Sequence, residues 1–144
     1  MNKKLCTIFF LLQSLFQIGC KEDTGIVMLP QNDNGNFILN VSNQSFAIDP
    51  VDIKIYIDDT LAVNQEFEVK DQHNYWRFRF DISNGEHVLL AKSIKGDAIL
   101  EQSFSITDSA HWAYLDYWYY TDEELHGPTE KKLVLSIFTE KPWW

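Results

Sequence analysis

"VDIKIYIDDTLAVNQEFEV", residues 51–69, decides the fold. Its first half places Ile53, Ile55 and Ile57 on one side of an extended chain and Lys54 and Tyr56 on the other. A period of two is what a strand shows when one face is dry and the other meets water. Asp58-Asp59-Thr60 interrupts the alternation, and Leu61, Val63, Phe67 and Val69 carry apolar positions onward, so the stretch reads as a β-hairpin.

The same alternation recurs outward from this point. Trp76, Phe78, Phe80 and Ile82 oppose Arg77, Arg79 and Asp81. Short runs of this kind, separated by turn formers, predict strands over 37–43, 51–58, 61–69, 76–82, 87–94, 98–106, 112–120 and 132–139. Ser83-Asn84-Gly85 predicts a hairpin because Asn and Gly tolerate positive φ, and Lys95-Gly96-Asp97 predicts the next. No long segment keeps a 3.6-residue period, so helix is nearly absent. "IDDTLAVNQEFEV" (57–69) echoes "IKGDAILEQSFSI" (94–106) at an offset of 37, pairing Gln65 with Gln102 and Phe67 with Phe104. Two copies do not make a solenoid. One hairpin geometry used twice gives this likeness, with Leu61, Val63, Phe67 and Val69 facing the core as Leu100, Phe104 and Ile106 do; convergence of two alternating strands gives it equally. Without a βαβ unit, residues 37–140 resemble in pattern an immunoglobulin-like or fibronectin-type sandwich. The expected fold is all-β, an antiparallel β-sandwich of about eight strands filling 37–144.

Ahead of it, residues 20–36 read as a tether that ends in the turn formers Gln31-Asn32-Asp33-Asn34-Gly35-Asn36. Asn2-Lys3-Lys4 followed by an apolar run over 5–18 is a secretory signal peptide, expected over 1–19. The run falls short of the roughly 20 apolar residues that span a bilayer. Gly19-Cys20 resembles the cleavage site of bacterial lipoproteins, with Gln17 where Leu is usual. The resemblance implies that Cys20 carries a diacylglycerol and begins the mature chain. Each buried methylene contributes about 0.8 kcal/mol, so two or more acyl chains hold a protein on a membrane. Lys21-Glu22-Asp23 is similar to the export signal of surface lipoproteins from Bacteroidota-type bacteria. That implies the outer membrane with the domain facing outside; the alternatives are a periplasm-facing anchor and an ordinary secreted protein in which Cys20 is incidental.

Losing residues 1–19 removes two of the 12 basic residues and none of the 21 acidic ones, leaving a net charge of −11. Such a balance argues against a nucleic-acid partner, which needs a basic face. Cys6 leaves with the leader and the lipid takes Cys20, so no disulfide is expected and the domain stands on its core. His73, His87, His111 and His126 lack metal-ligand spacing. Asp116, Asp122, Glu123 and Glu124 lack that of a calcium loop. Neither a G-x-S-x-G nor a Gly-rich phosphate loop occurs. The expectation is a module without cofactor, metal or catalytic residues; a small enzyme is the third reading, since carboxylate pairs for glycoside hydrolysis meet in space.

The densest feature is "HWAYLDYWYY", 111–120. As a strand it sends His111, Ala113, Leu115, Tyr117 and Tyr119 one way and Trp112, Tyr114, Asp116, Trp118 and Tyr120 the other. The first set suits a core. The second forms a ladder of rings spaced about 6.8 Å with a carboxylate in its middle. Flat rings stack on sugar faces and a carboxylate accepts from hydroxyls, so Trp112, Tyr114, Asp116, Trp118 and Tyr120 are the candidate ligand-binding residues, for a glycan or an envelope protein. The competing reading is packing, with the strand also covered by Trp143-Trp144 or the N-terminal segment. Residues 121–131 form the longest connection, where Thr121 and Glu124 fit a capping box that Gly127-Pro128 closes. A second functional reading is a structural or accessory subunit of an outer-membrane complex, docked at a sheet edge by strand addition.

Overall fold

The alternating runs fold as strands. The computed structural model describes residues 27–70, 74–121 and 129–143, in which eight strands follow one another: β1 (Phe37–Asn43), β2 (Val51–Ile57), β3 (Thr60–Phe67), β4 (Trp76–Phe80), β5 (Gly85–Ser93), β6 (Ala98–Ile106), β7 (His111–Trp118) and β8 (Lys132–Phe138). They form two four-stranded sheets, ordered β4-β1-β7-β8 and β3-β2-β5-β6. Ile53, Ile55 and Ile57 of β2 point into the space between the sheets, against Leu39 and Val41 of β1 and Ala113 and Leu115 of β7. Aromatic pairs join the layers: Phe37 stacks on Phe104 at 5.0 Å, and Phe67 meets Trp76 edge-on at 5.4 Å. The chain is an all-β sandwich.

The Asp58-Asp59 turn joins β2 to β3 as expected, both residues taking positive φ, and residues 94–97 join β5 to β6. The 37-residue echo has a structural counterpart: β3 and β6 are the two outer strands of one sheet, each the second arm of a hairpin. Phe67 and Val69 are buried as Phe104 and Ile106 are, but the echo fails at its first pair, where Ile57 is 3% and Ile94 81% exposed.

Three features depart from the sequence reading. Ser83-Asn84-Gly85 is no hairpin, because β4 and β5 lie in different sheets and the turn carries the chain across the sandwich. The pairing is not antiparallel throughout: β1 runs parallel to β7. The strand order also differs from the immunoglobulin one, in which the first, second, fourth and fifth strands share a sheet; here the first, fourth, seventh and eighth do.

Residues 28–36, which read as the end of a tether, pair with both sheets. Met28 bridges to Leu61 at the β3 edge, and Leu29 N–H donates to the Leu61 carbonyl at 2.7 Å. Gln31 bridges to Phe80 at the β4 edge, and Asn32 N–H donates to the Arg79 carbonyl at 2.9 Å. This arm therefore covers two edges on the same side of the sandwich, edges that would otherwise expose unpaired backbone groups. Gly35 is required where the arm crosses β4: a Cβ there would lie 2.3 Å from the Phe80 carbonyl oxygen.

Candidate functional site

β7 divides its side chains as the sequence predicts. His111, Ala113, Leu115 and Tyr117 are buried between the sheets, and the Tyr117 hydroxyl donates to the Gly96 carbonyl at 2.9 Å. Burial pushes the Tyr117 phenol up to about 12. Trp112, Tyr114, Asp116 and Trp118 lie on the outer face, all half-buried. Tyr120 follows the end of the strand, its ring 6.2 Å from that of Trp118 and tilted by 33°. All five residues singled out from the sequence thus lie on or beside one surface, neither bare nor sealed.

What half-buries them is their own sheet. In the register, Asn40 of β1 stands between Arg77 of β4 and Tyr114 of β7, and Ile38 stands between Arg79 and Trp112. Ser42 faces Asp116, and β8 adds Phe138, Ser136, Val134 and Lys132 opposite Trp112, Tyr114, Asp116 and Trp118. Long side chains from β4 and β7 close over β1 so fully that Asn40 and Ser42 are 0% exposed on a face that contains no opposing sheet. Trp143 does not cover the strand, being 94% exposed.

A polar group buried this deeply is costly unless bonded, and each here has a partner. Asn40 Nδ2 donates to the Ala113 carbonyl at 3.1 Å while its Oδ1 accepts from Arg77 Nε at 2.9 Å. The Ser42 hydroxyl donates to Asp116 Oδ1 at 2.5 Å and accepts from Gln44 Nε2 at 2.7 Å. The Tyr75 hydroxyl bonds the same carboxylate; burial first, and then the Asp116 charge, push that phenol up to about 12. Tyr114 is fixed edge-on between two rings, Tyr75 at 5.2 Å and Phe138 at 6.0 Å. The result is a preset surface: a carboxylate held by two hydroxyls, Tyr114 held between two rings, and a guanidinium bonded at Nε to Asn40.

Asn40, Ser42, Gln44, Tyr75 and Arg77 belong to this surface and escape a reading that starts from aromatic density. "FILNVSN" carries one usable signal, because Asn40 and Ser42 share an alternation face opposite Phe37, Leu39 and Val41. Tyr75 precedes β4, and only its approach to Asp116 and Tyr114 reveals its part.

The depressions elsewhere have different chemistry. One, about 300 Å³, lies by Ser93, Ile94, Ala98 and Ile99; another, about 310 Å³, lies by Asp58, Asp59 and Glu101. Neither gathers aromatic rings. Cys20, Lys21-Glu22-Asp23, His73, the 122–128 part of the long connection with its expected helical turn, and Trp144 lie outside the described residues. No family model, no curated protein and no solved structure matches this chain.

Proposed function

We propose that this chain is a lipid-anchored, non-catalytic lipoprotein of a bacterial outer membrane, facing outward, whose sandwich binds a glycan or protein on the outer face of the β4-β1-β7-β8 sheet. The observation that carries the binding reading is the fixed state of Asp116 beside half-exposed rings: Ser42 and Tyr75 hold the carboxylate, and Tyr75 and Phe138 hold Tyr114. A surface ordered before the partner arrives loses less side-chain freedom on binding. The Gly19-Cys20 cleavage pattern supports the anchor, and Lys21-Glu22-Asp23 supports export to the cell surface.

Titration of the detergent-solubilised full chain against a glycan panel, followed by tryptophan fluorescence, tests the binding reading. A saturable change that Trp112→Ala or Trp118→Ala abolishes while the melting temperature is nearly kept supports it; a panel without response removes the glycan and leaves only a protein partner, and unfolding of both variants refutes the binding reading. Mass spectrometry of the N-terminal peptide from membranes tests the anchor, and a free thiol on Cys20 refutes it.

A second reading has its own observation. The arm at 28–32 bridges the β3 and β4 edges, whereas β6 and β8 have no second strand partner among the described residues. Strand addition to one of these edges is the way an accessory subunit of an envelope complex would dock. Crosslinking in cells followed by purification should then recover one stable partner.

A further inference from the structure

The chain contains two arginines, Arg77 and Arg79, and both lie on the outer face of β4. In a chain of net charge −9 they are placed side by side against the aromatic strand, two strand spacings or about 10 Å from it. Each has a different anchor. Arg79 donates from Nη1 to the Asp33 carbonyl, which ties it to the N-terminal arm. Arg77 donates only from Nε, to Asn40 Oδ1 at 2.9 Å; its two Nη nitrogens have no bond to any described residue, and neither arginine has an acidic partner among those residues. An exposed guanidinium held at Nε by a fully buried amide keeps both Nη groups for a planar anion.

Across the sheet the order is cation on β4, buried amide on β1, ring on β7, with the Asp116 carboxylate one pair further along β7. On this face the two arginines stand on β4, the Asp116 carboxylate on β7, and Lys132 on β8 opposite Trp118. A neutral sugar needs no guanidinium that lacks an acidic partner among the described residues. We propose that the ligand of this face is an acidic glycan, bound with a uronate carboxylate on Arg77 and the pyranose chain lying over Tyr114 and Trp112. Asp116 accepts hydroxyl hydrogen bonds and repels the carboxylate, which orients the chain toward β4. The protein as a whole repels a polyanion, so the preference rests on these local groups. This inference deepens the binding reading above and depends on it.

Three probes separate the two: hexagalacturonate, its methyl ester, and cellohexaose, each titrated into the detergent-solubilised full chain. The acid should bind at least about tenfold more tightly than the ester, a difference of about 1.4 kcal/mol. Arg77→Gln should erase that preference and leave the ester affinity as it was, Arg77→Lys should lose most of it, and Tyr114→Ala should weaken acid and ester alike. Equal affinity for acid and ester, binding of cellohexaose alone, or a preference that survives in a folded Arg77→Gln protein overturns the acidic-glycan assignment and leaves the binding reading standing. If none of the three binds, the acidic-glycan assignment is overturned as well, and the binding reading then stands or falls with the wider panel and the tryptophan variants.

Discussion

Ser42 and Asp116 stand opposite each other in the parallel β1–β7 pair, joined by a hydroxyl-to-carboxylate hydrogen bond of 2.5 Å on the outer face of the sheet. Ser42 is wholly buried, so its hydroxyl has no water to fall back on. Ser42→Val should destabilise the domain by about 1–3 kcal/mol in urea unfolding, because the buried Gln44 amide loses its acceptor and Asp116 one of its donors. Asp116→Asn removes the charge beside Tyr75, and the Tyr75 phenol should then titrate below its present value of about 12 while burial keeps it above 10. NMR of ring-labelled tyrosine reads this directly, and an unchanged value would dissociate the two residues.

A second clamp joins the β2–β3 turn to the crossover between the sheets. His87 Nδ1 lies 2.6 Å from Asp58 Oδ2, and its Nε2 lies 2.8 Å from the Ser83 carbonyl oxygen. With acceptors on both nitrogens the charged ring is favoured. Burial alone would lower the imidazole, but the bonds to Asp58 and Ser83, and the Asp58 and Glu86 charges, hold it above its ordinary 6.5. The bond from His87 holds Asp58 below 3.8, against burial and with help from the Val88 N–H. A raised histidine stabilises fully below 6.5 and loses that contribution as pH rises through its folded value; a lowered carboxylate stabilises above 3.8 and loses it as pH falls through its own. Melting temperature against pH should therefore be highest between about 4 and 6.5 for this pair. His87→Gln should flatten the alkaline limb, and a limb of the same slope in that variant would remove His87 as its cause.

Truncations should sort the aromatic residues by depth. Phe67, fully buried between Trp76 and Phe78, should cost about 3–5 kcal/mol as Phe67→Ala. Tyr117→Phe leaves the Gly96 carbonyl without its hydroxyl donor and should cost about 1–3 kcal/mol. Trp112→Ala and Trp118→Ala remove half-buried rings and should cost less than Phe67→Ala. Denaturant melts rank the four, and tryptophan variants as damaging as Phe67→Ala would make the outer face a second core.

Gly35→Ala tests the N-terminal arm. Its new Cβ would meet the Phe80 backbone, so the arm must move off the β4 edge at a cost of about 1–3 kcal/mol. The Asn32 and Leu29 amides, bonded to the Arg79 and Leu61 carbonyls, should then exchange with solvent far faster than in the unaltered protein. Unchanged protection at both would show that the arm stays in place without this contact.

The sequence by itself determined the strands and which way each one faces. Strands 37–43 and 98–106 match β1 and β6 at both ends, and "HWAYLDYW" sorts into inner and outer sets as its alternation predicts. A period of two is local, carried by neighbouring residues, and burial on one face imposes it. Tertiary structure decided what stands beside what. The parallel pairing of β1 with β7 joins Ser42 to Asp116 across 74 positions, and nothing near either residue announces it. Asn84-Gly85 has the same turn chemistry whether the chain returns in its own sheet or crosses to the other, so the missing hairpin followed from sheet order. The candidate site shows the same division: alternation found the rings of β7, while Tyr75, Arg77, Asn40 and Ser42 joined them only through register, because hydrogen bonds between distant strands leave no trace in local composition.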